Sequence, residues 1–202
     1  MDFDRENLRR TVAKLKEKFE RLKGSRMNEE NTKMAFIAPL IRALGWDTTD
    51  PDEVNCEFRH KPKDTPVDFA LMVQRTPRLL IEAKALGHDL RDRRAVNQVI
   101  SYSTQAGVQW VVLTNGCEYR IYNSTAQVPI DGKLFRGLSL TDSNVDEFTS
   151  VLGLLSKPEM LQQRIAQAWA ADHIDRQVKE ILSRLLADNG GSKPLVQLIV
   201  KE

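Results

Sequence analysis

Cysteine is scarce in this 202-residue chain: Cys56 and Cys117 stand far apart, which excludes a disulfide framework and a zinc pattern and leaves two free thiols. Histidine is nearly as rare. His60, His88 and His173 share no ligand spacing, so surface or capping roles are expected of them rather than a histidine metal centre. No run approaches the roughly 20 apolar residues that span a bilayer, and Met1-Asp2-Phe3-Asp4-Arg5 lacks the apolar core of a signal peptide. A cytoplasmic protein is expected. No Gly-rich loop ends in Gly-Lys-Ser or Gly-Lys-Thr, so an ATP-driven step would need another chain or segment. A strong charge of one sign is also missing: the net charge of +2 does not mark a nucleic-acid binder by itself, and any such argument must come from local clusters. What is present, 41% apolar and 29% charged residues, suits one globular domain with or without an appendage.

Periodicity predicts a helix over 3–23, with Phe3, Leu8, Val12, Leu15, Phe19 and Leu22 on one side and Gly24 as its stop. Residues 1–26 hold nine Lys or Arg against five Asp or Glu, an excess open to phosphate contact or to a plain solvated face. A second helix is expected from an Asn28 N-cap, carrying Met34, Ile37, Leu40, Ile41 and Leu44 inward, bent at Pro39 and ending at Gly45-Trp46. A short strand is expected over 54–58. Two more are predicted by Pro66-Val67-Asp68-Phe69-Ala70-Leu71-Met72 and Arg78-Leu79-Leu80-Ile81-Glu82-Ala83-Lys84, separated at Arg75-Thr76-Pro77. Residues 89–106 read as a helix with Leu90, Val96, Val99, Ile100 and Ser103 toward a sheet and a stripe of Arg91, Arg94, Gln98 and Tyr102. The continuous apolar run 110–114 predicts a strand covered on both faces, Asn115-Gly116 a hairpin turn into 118–122, and 134–140 a further strand.

The domain is expected over 1–141. Beyond it, 142–202 reads as a helical appendage, with helices over 145–155, 158–171 and 174–187 broken at Pro158 and Asp172. A flexible Asn189-Gly190-Gly191-Ser192 and an apolar 195–200 follow, as in a chain that continues in a longer protein.

The chemistry concentrates on the paired strands. Residues two apart on a strand share a face, so Glu82 and Lys84 project together, and a hairpin brings Asp68 beside them. Two carboxylates can hold a hard divalent cation, and a lysine can orient water or neutralise developing charge. A structural ion pair is the competing explanation.

Further ordered segments accompany these three residues: Asn28-Glu29-Glu30-Asn31-Thr32-Lys33, 36–47 ending in Leu44-Gly45-Trp46-Asp47, Val67-Asp68-Phe69, Ile81-Glu82-Ala83-Lys84, Gln98-x-x-x-Tyr102 and 110–116. Together, over about 25–140, they resemble the PD-(D/E)XK nuclease superfamily, and within it the N-terminal nuclease domain of type I restriction enzyme R subunits and their stand-alone relatives. The resemblance implies an α/β fold, a restriction-endonuclease-like mixed central sheet flanked by helices. It implies a Mg²⁺-dependent DNA endonuclease of restriction or defence, Mn²⁺ being able to substitute. Asp68 and Glu82 become the metal ligands, Lys84 the residue that positions or activates water, and Gln98 and Tyr102 the support of the site or of the DNA backbone. The helix acid is Glu29 by the family's register and Glu30 by helical periodicity. Proline stands at 66 rather than immediately before Asp68. Arg91 and Arg94 are the candidate DNA contacts. The partners implied are DNA and either a second copy or other restriction-system subunits, with no membrane. The alternative function is a non-catalytic DNA-binding or assembly module that keeps the fold.

Overall fold

The computed structural model describes residues 3–187. The chain divides into two compact units, Met1–Gln162 and Gln163–Glu202. The first is built on a six-stranded sheet in sequential order, β1 (Val54–Phe58), β2 (Val67–Val73), β3 (Thr76–Ala83), β4 (Trp110–Thr114), β5 (Glu118–Asn123) and β6 (Leu134–Ser139). All neighbours are antiparallel except β3 and β4, which run parallel because a helical crossover joins them. The sheet is therefore mixed, as the resemblance implies.

Local chemistry explains the connections. The β2–β3 hairpin turns on Gln74 and Arg75, with φ of 51° and 59°, the left-handed pair of a tight hairpin turn, so Thr76 and Pro77 belong to β3 rather than to the break. Pro77 is tolerated because β4 joins β3 only from Leu79 onward, and no N–H is needed there. Asn115 ends β4: its Oδ1 accepts from the N–H of Cys117 and Glu118 at 3.0 and 2.7 Å. Gly116, at φ +83°, lets the turn lie where a Cβ would come within 2.9 Å of the Thr32 methyl.

The crossover helix α4 (Arg93–Gln105) covers one face, packing Val99 and Ile100 with Ala70, Leu80, Val111 and Leu113. The other face is covered by α1 (Arg5–Leu22), the segment 29–43, and α5 (Val145–Gly153). That segment is α2 (Glu29–Thr32), a π-helical turn over Lys33–Ile37, and α3 (Ala38–Ala43), opened by Asn28, whose side chain accepts from the Asn31 N–H. The wider turn removes Met34 from the inward set, leaving it 69% exposed, while Phe36, Ile37, Leu40, Ile41 and Leu44 are buried. Pro39 has no N–H for the carbonyl of Ala35 four residues earlier, and the Lys18 ammonium donates to that oxygen at 2.7 Å.

The division expected after residue 141 falls after Gln162 instead. Phe148, Leu152 and Leu155 are buried, Phe148 meets Tyr119 edge to face at 5.5 Å, and the Trp46 indole N–H donates to the Leu155 carbonyl at 3.0 Å. These contacts make α5 and α6 (Lys157–Leu161) part of the core of the first unit. In the second unit α7 runs unbroken over Arg164–Ala187. The break expected at Asp172 is absent because that carboxylate pairs with Arg176 one turn on, at 2.7 Å; the chain turns at Gln163, with φ 55°, instead. The expected flexible break at 189–192 and apolar tail at 195–200 lie outside the described residues. No helix among the described residues is long and apolar enough to cross a membrane.

Candidate active site

The site forms where the sheet parts. The β2–β3 ladder ends at Phe69 opposite Ile81. Beyond that couple β2 stays with β1, Phe58 opposite Val67, while β3 stays with β4, Glu82 opposite Leu113 and Ala83 opposite Thr114. Asp68 bridges the gap by side chain. Its Oδ2 accepts from the Ala83 backbone N–H at 2.7 Å, the donor that a continued ladder would have used.

Asp68 is buried, and its Oδ1 accepts from the Lys33 ammonium at 2.8 Å, the two side chains being 9% and 8% exposed. Lys33 also reaches Glu30 at 2.6 Å and Glu57 at 3.4 Å, both largely in solvent. Burial pulls the Lys33 ammonium toward its neutral form, but the hydrogen bonds and charges of Asp68 and Glu30 more than reverse this, and its pKa is raised.

Glu82 and Lys84, two apart on the other side of the opening, bond each other at 2.7 Å and are 20% and 22% exposed. Burial raises the Glu82 carboxyl, Lys84 counters it, and the charges of Asp68 and Glu29 push it further up, so the net shift is above the ordinary carboxylate range. For Lys84, burial acts downward, but the bond to Glu82 and the charges of Glu82, Glu29 and Asp68 carry the net shift up. Glu29 therefore acts electrostatically on Glu82 and Lys84, whereas Glu30 is committed to Lys33. The two glutamates that the sequence leaves as alternatives point to different partners.

Thr32 ties this helix start to the sheet. Fully buried, it donates to the Asn28 carbonyl at 2.8 Å and accepts from the Leu86 N–H at 3.1 Å, just past Lys84.

Glu82, Lys84, Gln98 and Tyr102 line one cavity of about 270 Å³, with Thr65, Val67 and Ser101 among its walls. Gln98 is exposed at its rim. Tyr102 has a structural task as well: its hydroxyl donates to the Phe58 carbonyl at 3.1 Å and accepts from the His60 N–H at 2.8 Å, so it fixes the end of β1. The stripe of Arg91, Arg94, Gln98 and Tyr102 does not form as one helical face, because α4 is capped by Asp92 and starts at Arg93. Arg91 lies before the helix, pairs with Asp89 at 3.0 Å, and lines other depressions beside Arg120. Arg94 is exposed.

Lys33 is the residue that sequence reasoning passed over. A signal was present: it stands four before Ile37 and eight before Ile41, a lysine on an apolar stripe, where an unpartnered charge is costly.

Among the described residues, no three His, Cys, Asp or Glu side chains are grouped so that they could hold a metal ion. The two carboxylates of the opening nevertheless suit a hard cation in chemistry. Both offer oxygen, their mutual repulsion is part of what raises Glu82, and each has an ammonium partner, Lys33 for Asp68 and Lys84 for Glu82.

Compared with known families, residues 28–131, just over half of the chain, match the one described as type I restriction enzyme R protein N terminus. No curated protein and no solved structure matches the chain.

Proposed function

The chain belongs to the family of type I restriction enzyme R protein N termini, and from that premise we propose that it is a metal-dependent DNA endonuclease module of a restriction system, using Mg²⁺ or Mn²⁺. The observation that carries this reading is the parted end of β2 and β3, where Asp68 bridges the opening beside the Glu82–Lys84 pair and the charge of Glu29 acts on that pair.

Asp68 and Glu82 would hold the cation. When bound, the metal neutralises a phosphate oxygen and lowers the pKa of its water. Asp68 is oriented for this by a backbone donor that cannot swing away, the Ala83 N–H. Lys84, anchored through its own N–H to the Thr114 carbonyl at 2.7 Å, lines the cavity with its ammonium bonded to Glu82, and there it would orient the attacking water and offset charge on the phosphorane-like transition state. Gln98 offers its amide to a phosphate at the rim, and Tyr102, one turn further along α4, fixes the end of β1 beside the cavity. Arg94 contributes phosphate contact from the exposed start of α4, and Arg91 does so from the neighbouring depression.

The test is cleavage of plasmid DNA in Mg²⁺ or Mn²⁺ by Asp68→Ala, Glu82→Ala and Lys84→Ala. Each is expected to lose on the order of 10²-fold or more of the rate. Wild-type cleavage by all three removes the proposal.

A further inference from the structure

A site designed to hold a divalent cation is expected to concentrate negative charge, yet the most buried carboxylate here already has a cation of the protein's own. The Lys33 ammonium contacts Oδ1 of Asp68 at 2.8 Å, with both side chains more than nine-tenths buried. Oδ2 is held by the Ala83 N–H. Neither oxygen is free of a donor. Of the two donors, one is strand backbone and cannot leave. The other sits on a four-carbon stem with other partners within reach, Glu30 at 2.6 Å and Glu57 at 3.4 Å. Both alternatives lie toward solvent, so the ammonium can give up Asp68 without losing every counter-charge.

We propose that Lys33 is a built-in competitor for the cation: it neutralises Asp68 while the metal is absent and moves its bond to Glu30 and Glu57 when a divalent ion takes Oδ1. This rests on the reading of Asp68 and Glu82 as the metal pair. It extends that reading by making metal affinity the difference between two cation contacts to one carboxylate. The arrangement keeps a buried aspartate paired at every stage and sets a threshold concentration for the metal. Lys84 does not play the same part, since its bond is to the more accessible Glu82 and no second carboxylate contacts it within salt-bridge distance among the described residues.

The test is direct Mn²⁺ binding to the full chain without DNA, by isothermal titration and by the EPR signal of free Mn²⁺, for wild type, Lys33→Met and Lys33→Gln. Lys33→Gln keeps a hydrogen-bond donor toward Asp68, so the fold is retained if the methionine variant is unstable. Both variants are expected to bind Mn²⁺ about tenfold more tightly than wild type, equivalent to about 1.4 kcal/mol. Lys63→Gln, which removes an exposed charge of the same sign, is expected to leave the affinity unchanged. A merely structural Lys33 would weaken Mn²⁺ binding or leave it as it was, and either result overturns the competition while the metal pair stands. Absence of Mn²⁺ binding in wild type and in both variants overturns the metal pair itself, and the competition with it.

Discussion

The two carboxylates that meet at the end of the β2–β3 hairpin live in different surroundings. Asp68 is sealed: one oxygen is held by a buried ammonium and the other by strand backbone. Glu82 opens onto the cavity, its companion Lys84 is as accessible as it is, and burial with neighbouring negative charge makes its ionised form costly. The contrast separates two jobs that a list of ligands merges. On the proposed reading, Asp68 would hold the architecture of the site as well as a place in its chemistry, whereas Glu82 would serve the reaction and contribute little to the fold.

The largest effect that would test this contrast is on Asp68. Asp68→Ala leaves Lys33 buried without its closest partner and the Ala83 N–H without an acceptor, and should destabilise the first unit by about 3 kcal/mol, read by urea unfolding. A loss no greater than that of Glu82→Ala would erase the distinction. Next comes Gly116→Ala, which places a methyl 2.9 Å from Thr32 at a φ that alanine adopts poorly. A cost of about 2 kcal/mol is expected. Because Thr32 precedes Lys33, the variant should also disturb the Asp68 side more than the Glu82 side, visible as a change in Mn²⁺ affinity.

Tyr102→Phe removes two hydrogen bonds that hold the end of β1, with an expected cost of about 1 kcal/mol. Its cleavage rate should fall far less than that of Lys84→Ala; an equal fall would move Tyr102 from the wall of the cavity into the reaction. The smallest effect on stability is expected for Glu82→Ala, about 1 kcal/mol or less for a partly exposed pair. Its signature lies in pH. In the metal-free protein burial, with the charges of Asp68 and Glu29, holds the Glu82 carboxyl above the ordinary ~4.3 of a glutamate, so its ¹³C carboxyl resonance should titrate above that value. A titration at or below that ordinary value would contradict the burial of Glu82 beside two other carboxylates.

Much of this was legible before any coordinates. The apolar run Trp110 to Thr114, the apolar segments that carry Asp68 and Glu82, and the Asn28 cap mark elements whose pattern is local, and the structure keeps them. The departures arise where non-local contact overrides local pattern. Met34 has the right spacing for the core, but a π-helical turn rotates it out. Residues 145–161 read as an appendage because nothing in the chain announces that Trp46 and Tyr119 receive them. Arg91 shares a helical period with Gln98, yet the Asp92 cap excludes it from the helix. The candidate site shows the same limit. Its acids and Lys84 stand in short motifs, whereas the pairing of Lys33 with Asp68 spans 35 residues and depends on how a helix docks against a strand.

The bond from the Ala83 N–H to Asp68 has a consequence for observation. A main-chain amide that ends on a side-chain oxygen is a spectroscopic probe already installed in the molecule: its proton chemical shift responds to the charge on that oxygen, whichever positive group lies beyond it. One resonance in the spectrum of uniformly ¹⁵N-labelled protein would thus register, without any label at the site, each change of company that the aspartate undergoes.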